Sequence, residues 1–446
     1  MTHRHSLKLA GRAGIYLMAI LSLMPQISQA VPSYARQTGL ACAACHTTYP
    51  ELTAFGRNFK LNGYTMTGIQ QIESTRKGTE AGVKINEVLP ISAMLTASVS
   101  QLGKAPPGTQ NADVAFPQEF SVFFAGEITP HIGSFIQVTY AQEDGSFGFD
   151  NTDIRYANHA SVAGADTIYG LTVNNSPTVE DPWNSTPAWG FPFASSPVAP
   201  GPAASPLIAE LGQDVAGAGA YTMWNNHLYA NASFYRSAHQ GDFPPNDMSE
   251  MTIKGLAPYW RLAWQQNFGA DNLEVGTFGM QTRLYPDGVS GLTDKYTDTA
   301  LDAQYEHAMG TNLLTVRGSY IHEKQDLTRS FNDAVSANPS NDLNTLNLNG
   351  TFHLGSTAAF SAGYFSTTGD TDTGLYAANP VDGSASGSPD SKGYILQATY
   401  LPWQNTQFAL QYTGYTKFNG GSSNYDGSNR DASDNNALFL HAWLVW

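Results

Sequence analysis

From about residue 88 to the C-terminus, hydrophobic and polar residues alternate along the chain in segments of roughly ten residues. In one such segment Leu346, Leu348 and Phe352 fall on one side of an extended chain, whereas Asn347 and Asn349 fall on the other. A period of two predicts β-strands whose two faces meet different surroundings. With Tyr and Phe frequent throughout, the pattern favours an outer-membrane barrel, with one face toward lipid and the other toward water.

The alternation predicts sixteen strands, and the connections between them alternate in length. Short periplasmic turns and long extracellular loops are typical of outer-membrane barrels. The predicted strands lie near 88–101, 118–127, 133–142, 151–157, 164–172, 214–224, 226–236, 256–266, 272–284, 297–307, 312–324, 343–353, 357–367, 391–401, 405–417 and 435–446. The short turns include Asn225, Phe268-Gly269, Gly310 and Pro402. The long loops lie near 102–117, 173–213, 237–255, 325–342, 368–390 and 418–434.

The chain closes on an alternating strand that ends at Trp446, which predicts that its N-terminus lies on the periplasmic side. A soluble β-sandwich is the alternative fold. Its buried face would then carry polar residues such as Asp302, Glu306 and Arg317, which are costly in a core. We therefore predict an all-β fold, an antiparallel transmembrane barrel of about sixteen strands.

The N-terminal region divides the chain into three predicted parts. Its first 30 residues have the features of a secretory signal peptide: three basic residues, an apolar run over 14–24 and small residues up to Ala30. The apolar run is too short to span a bilayer. We expect a signal peptide at 1–30, a small segment at 31–83 and the barrel at 84–446.

Composition and charge limit the classes of partner that the chain is expected to bind. The chain has 37 acidic and 22 basic residues; without the three basic residues of the signal peptide the balance is 37 to 19, a net charge of about −18. This balance argues against nucleic acid as a partner. A negative field suits small cations or basic redox proteins, although a solvated acidic surface gives the same count. Only 13% of residues are charged, less than in an ordinary acidic globular enzyme.

The chain has two cysteines, and they form one motif, Cys42-Ala43-Ala44-Cys45-His46. Two thiols at this spacing followed by His predict one covalent haem c, with both thiols bonded to it and His46 as the proximal iron ligand. A zinc site would need a second ligand pair, and a thioredoxin-like site would need a βαβ setting. Nearby, Arg57 and Lys60 are expected either to pair with haem propionates or to be solvated.

A short helix is predicted directly after the motif. Thr48 and Glu51 have the spacing of a capping box, and Leu52, Phe55 and Phe59 fall on one helical face. We expect that apolar face to cover the haem.

The distal iron ligand has several candidates. Met66 lies in the same small segment, and a thioether ligand would raise the haem potential. Met94, His131 and His353 are alternatives, and Met66 is equally well explained as a packing residue.

The interior of a sixteen-stranded barrel is wide enough to fill with water unless something occupies it. The segment 31–83 has about the right size to plug the lumen. The longest predicted loop contains four aromatic residues among prolines, which predicts either a constriction folded inward or simple packing of a stiff loop.

The N-terminal residues resemble a known family, the fused outer-membrane monohaem cytochrome–porins of iron-oxidising bacteria. The resemblance covers the haem segment closely and the barrel by architecture, with the loop from Asn174 to Pro192 similar as well. The matching residues are Pro32 to Leu40, the haem motif, Pro50-Glu51-Leu52, Phe55-Gly56-Arg57, Phe59-Lys60-Leu61 and Gly63-Tyr64.

This resemblance implies a ferrous-iron oxidase in the outer membrane of a Gram-negative bacterium. Electrons would pass from extracellular Fe(II) through the haem to a periplasmic carrier, a cytochrome or a copper protein. Cys42, Cys45 and His46 carry over from the family as haem residues, whereas the distal ligand does not. Two alternatives stay open: electron exchange with another extracellular donor or acceptor, and a diffusion porin with an accessory haem segment.

Overall fold

The structure is a computed structural model that describes residues 32–66, 71–74, 83–86, 88–141, 145–238 and 252–446. The expected signal peptide lies outside these residues. None of the helices in the described ranges is long and apolar enough to cross a membrane.

The N-terminal segment is partly helical. It contains the helices Pro32–Thr38, Cys42–Cys45 and Ala54–Leu61. Strands β1 (Gln71–Ser74) and β2 (Val83–Asn86) then form a separate antiparallel pair.

The rest of the described chain forms a closed antiparallel barrel. The barrel closes because its last strand pairs with its first, with Leu440 opposite Val99. Sixteen strands make up the closed ring within the described residues, which confirms the predicted number. They are β3 (Ile91–Leu102), β4 (Asp113–Thr129), β5 (Ile132–Ala141), β6 (Ser146–Val162), β7 (Ala165–Asn174), β8 (Val215–Trp224), β9 (Leu228–Ser237), β11 (Ala257–Phe268), β12 (Asp271–Tyr285), β13 (Asp294–Met309), β14 (Asn312–Asp326), β15 (Ser340–Leu354), β16 (Ala358–Gly369), β17 (Ser391–Trp403), β18 (Thr406–Lys417) and β19 (Ala437–Val445).

Five smaller elements of the described residues lie in the connections. A two-residue strand, β10 (Thr252–Ile253), pairs with β12 beside β11. The helices are Leu207–Glu210 and Thr328–Asn332, and the last connection contains the 3-10 turn Ala432–Asn435. A further 3-10 turn, Pro187–Trp189, lies in the connection between β7 and β8.

The barrel wall is apolar on its outer face and polar on its inner face, the reverse of a soluble protein. On β11, Trp260, Leu262 and Trp264 are exposed on the outer face, whereas Arg261 and Gln265 are buried on the inner face. An exposed apolar face is stable in hydrocarbon, and the strands leave no unpaired edge because the ring is closed. The fold is thus that of an outer-membrane β-barrel, as the alternating pattern predicts.

The connections alternate in length around the barrel. At one end they have two or three residues, as at 130–131, 163–164, 225–227, 269–270, 310–311, 355–357 and 404–405. At the other end they have four to forty residues, the longest being 175–214. Gly269 and Gly310 supply the positive φ of two of the tight turns, at 65° and 64°. We call the two ends the short-turn end and the long-loop end.

Residues 32–66 of the N-terminal segment lie inside the barrel, near the short-turn end. The backbone N–H of Cys42 donates to the side chain of Gln404 in a short turn, at 3.2 Å. Tyr64 donates its hydroxyl to Asp153 on the inner face of β6, at 2.7 Å. The described residues 32–66 therefore lie in the lumen, where a plug is expected.

The loop 175–214 also folds into the lumen. Its Asp181 forms a buried ion pair with Arg261 of the wall, at 3.1 Å, and its Trp183 donates to Gln265, at 3.1 Å. Trp183 is 1% exposed. Of the two interpretations of this aromatic loop, the structure supports the one in which it folds inward.

Candidate haem site

A cavity of about 390 Å³ lies in the lumen between the N-terminal segment, the barrel wall and the inward loop. This volume falls within the range of small-molecule and cofactor pockets, about 300–1,000 Å³. Aromatic rings from all three parts of the molecule line it: Tyr34, Phe59, Tyr64, Phe123, Phe135, Trp189, Phe193 and Trp443. The cavity is thus suited to a large, flat, mostly apolar group.

The two cysteines lie at the edge of this cavity. They are at the two ends of the short helix Cys42–Cys45, and neither forms a disulfide. Cys45 lines the cavity, and Cys42 is buried beside it in a cluster with Tyr49 and Met94. Burial, together with the neighbouring Cys42, raises the pKa of the Cys45 thiol to about 11. A thiol that stays protonated at neutral pH is unlike the activated thiolate of a thioredoxin-type site.

His46 follows Cys45 directly and also lines the cavity. Its Nδ1 is buried and has no hydrogen-bond partner in the structure. Burial lowers the pKa of His46. The backbone groups of Pro50 and Glu51 act in the opposite direction and raise it in part, although neither is a hydrogen-bond partner of Nδ1. A neutral imidazole is the form that binds a metal. The thiol pair, the neutral imidazole and the aromatic cavity therefore fit a covalent haem.

The helix Ala54–Leu61 packs closely against the Cys42–Cys45 helix. Thr53 caps it by accepting a hydrogen bond from the N–H of Gly56, at 3.1 Å. A Cβ atom at Gly56 would lie 2.3 Å from the carbonyl oxygen of Cys45, so only glycine allows this approach. Phe55 and Phe59 of this helix line the cavity, as the apolar face predicts.

The start of this helix differs from the sequence prediction. Thr48 does donate to Glu51, at 2.7 Å, but no helix follows from that pair. Glu51 instead accepts a hydrogen bond from Arg317 on the inner face of β14. The capping-box spacing therefore serves the attachment of the segment to the wall, and the helix begins six residues after Thr48, at Ala54.

The two basic residues of the helix have different partners. Arg57 is buried and pairs with Glu306, so it is neither solvated nor free for a haem propionate. Lys60 lines the cavity and donates to the carbonyl oxygens of Val179 and Asp181, at 2.6 and 2.8 Å. Burial, and then the charge of Arg155, lowers the pKa of Lys60 to about 7.

The structure separates the candidates for the distal ligand. Met66 is half-buried and does not line the cavity. His131 has its Nδ1 3.1 Å from the carbonyl oxygen of Ala157, and His353 has its Nε2 3.3 Å from Glu51; neither lines the cavity. Met94 does line it.

The sequence pattern did not predict that residues of the barrel wall and of the loop 175–214 line the cavity. Glu119 and Asp150 line the cavity from β4 and β6, and Asn184 lines it from the loop. Asn184 also accepts a hydrogen bond from the N–H of Leu52, at 3.1 Å, which ties the loop to the segment. The aromatic and proline content of the loop was its one visible signal. Within the described residues, no group of three or more His, Cys, Asp or Glu side chains could hold a metal ion.

Comparison with solved structures gives similar barrels. The loop L8 deletion mutant of OmpT, an outer membrane protein of Vibrio cholerae, is 13% identical, with a TM-score of 0.44 over 80% of this chain and 98% of that chain. OmpF of Salmonella typhi, in complex with daunomycin, is 12% identical, with a TM-score of 0.47 over 80% of this chain and 97% of that chain. An anion-selective porin from Comamonas acidovorans is 11% identical, with a TM-score of 0.44 over 80% of this chain and 98% of that chain.

Neither the protein-family models nor the curated proteins compared with the chain match it. The barrel fold is established by the closed strand pairing of this chain, independently of the solved structures.

Proposed function

We propose that this protein is an oxidoreductase of the outer membrane that carries electrons from extracellular Fe(II) toward the periplasm. Cys42 and Cys45 would hold one haem c covalently, and His46 would bind its iron. The observation that carries the proposal is the position of the motif: Cys45 and His46, whose Nδ1 has no hydrogen-bond partner, both line an aromatic cavity inside a closed membrane barrel. When bound there, haem c supplies one-electron redox chemistry.

The electron balance is simple. Each Fe(II) ion that is oxidised to Fe(III) releases one electron, and a periplasmic cytochrome or copper protein takes that electron up. Fe(II) and Fe(III) stay outside the cell in this scheme, so no solute needs to cross the barrel. The N-terminal segment and the loop 175–214 both lie inside the ring of strands. Their position supports a function in which electrons, and not solutes, cross the barrel.

The chain's own residues position the motif. Arg57 and Glu51 tie the segment to Glu306 and Arg317 of the barrel wall through buried ion pairs. Gly56 lets the neighbouring helix approach the motif closely. These contacts hold the motif at one depth in the lumen, which a fixed electron path requires.

The rival functions differ in which donor reduces the haem and in whether electrons or solutes cross the membrane. Another extracellular donor would reduce the same site, whereas a diffusion porin would pass solutes through the lumen. The test is stopped-flow mixing of the purified, oxidised protein with Fe(II), followed by the absorbance of reduced haem. We expect rapid reduction by Fe(II), and no haem signal from a Cys42→Ala, Cys45→Ala variant. Reduction by other donors but not by Fe(II) would establish the rival redox function and exclude the iron oxidase.

A further inference from the structure

One lumen-facing residue of β3 is unlike its neighbours. Between Ser92 and Ser100 the inward side chains of this strand are those of Ser92, Met94, Thr96, Ser98 and Ser100, all of them at most 5% exposed, and Leu102 follows at the end of the strand. Four of the five are small hydroxyl residues, which suit the polar interior of a barrel. A long thioether therefore interrupts a polar row at one position.

Met94 occupies the position on that row that borders the haem cavity. It lines the cavity together with Cys45 and His46, and it packs in one buried cluster with Cys42 and Tyr49. Among all the methionines and histidines of the described ranges, Met94 and His46 alone line this cavity.

Three other cavity-lining side chains with donor atoms already have hydrogen-bond partners. The hydroxyl of Tyr34 donates to the carbonyl oxygen of Ser134 at 2.6 Å, and that of Tyr64 donates to Asp153 at 2.7 Å. The ammonium group of Lys60 donates to two carbonyl oxygens of the loop. Each of these groups would have to give up a hydrogen bond in order to bind iron. The thioether of Met94 gives up none.

We propose that Met94 is the second axial ligand of the haem iron. This proposal rests on the haem assignment above and names the ligand that it leaves open. A thioether ligand paired with His raises the haem potential. A raised potential suits an acceptor for Fe(II), which is a weak reductant. The barrel wall would then supply one iron ligand and the N-terminal segment the other, so that ligation would join plug and barrel.

The test uses the full-length protein purified with its covalent haem. Three variants are compared with wild type: Met94→Leu, Met94→His, and Met66→Leu as the matched control. The readouts are the near-infrared sulfur-to-iron charge-transfer band of the oxidised protein, the midpoint potential, and haem staining of denatured gels. Heat-dependent migration on unboiled gels checks that each barrel is folded.

We expect wild type and Met66→Leu to show the charge-transfer band, and Met94→Leu to lose it with a lowered potential. Met94→His should replace it with the spectrum of an iron bound by two histidines, in a protein whose gel migration shows a folded barrel. A stained Met94→Leu protein that keeps the band would overturn the proposal, and loss of the band in Met66→Leu would assign the ligand to Met66 instead. A wild-type protein without covalent haem would overturn the proposed function itself.

Discussion

Arg57 of the N-terminal segment forms a two-pronged ion pair with Glu306 on the inner face of β13, with N–O distances of 2.9 and 2.7 Å. Both side chains are at most 10% exposed. Removing one partner of a buried pair leaves an uncompensated charge, which is far more costly than losing an exposed pair.

The Arg57→Ala variant should therefore destabilise the docked segment by about 3–5 kcal/mol. Lys104→Ala is the matched control because it removes the exposed Lys104–Asp434 pair, and it should cost about 0–1 kcal/mol. The measurement is protease sensitivity of the segment and the temperature of the gel-mobility shift. The double variant Arg57→Met, Glu306→Leu should recover much of the loss. Equal effects of Arg57→Ala and Lys104→Ala would show that the pair does not hold the plug.

Gly56 should tolerate no side chain. In Gly56→Ala the new Cβ would meet the carbonyl oxygen of Cys45, and backbone shifts of this kind cost about 1–3 kcal/mol. We expect less covalent haem per barrel, measured as stain relative to protein. Gly201→Ala is the control, because a Cβ there has nothing within 4 Å. Normal haem content in Gly56→Ala would mean that the two helices can separate without harm.

Covalent haem should depend on both thiols. The Cys42→Ala, Cys45→Ala protein should lose haem stain on denatured gels, because no thioether can form. His46→Ala keeps both thiols, so it should retain stain wherever haem is attached but lose the normal absorption spectrum. Full staining of the double cysteine variant would disprove the attachment site.

The lumen should open when the segment is removed. Deletion of residues 31–83, with the signal peptide kept, should raise single-channel conductance in planar bilayers, because the contacts of the segment with the wall disappear. The loop 175–214 remains inside and should keep the conductance below that of an empty barrel. The Cys42→Ala, Cys45→Ala protein keeps the segment and is the control for haem loss alone. Identical conductance in all three proteins would argue against a plug.

Acidic side chains at the long-loop end should attract Fe(II). The last two connections at this end contain seven carboxylates: Asp370, Asp372, Asp382, Asp390, Asp426, Asp431 and Asp434. The structure separates them, because Asp372 and Asp426 are buried and accept hydrogen bonds that shape the loops. Asp370 and Asp382 are exposed and are the pair to neutralise.

The Asp370→Asn, Asp382→Asn variant should slow haem reduction by Fe(II) at low salt, on the order of tenfold at most. The effect should vanish at 1 M salt, where the screening length falls to roughly 3 Å. Asp166→Asn, Asp271→Asn removes the same charge at the short-turn end and is the matched control. An equal slowing in both variants would point to net charge rather than to local steering.

The sequence by itself determined the barrel and the motif, because both are local patterns. Alternation with a period of two decides which face of a strand is apolar, whatever the strand pairs with, and all sixteen strands lie close to their predicted positions. The spacing of Cys42, Cys45 and His46 likewise needs no tertiary information.

Tertiary structure alone decided which distant side chains share the cavity. Met66 is near the motif in sequence but lies away from the cavity, whereas Met94 reaches it because barrel closure brings β3 beside the inserted segment. The same holds for Glu51, whose local spacing suggested a helix cap. In the folded chain its carboxylate binds Arg317 of the wall instead, because a buried charge needs an opposite charge more than a helix end needs a cap.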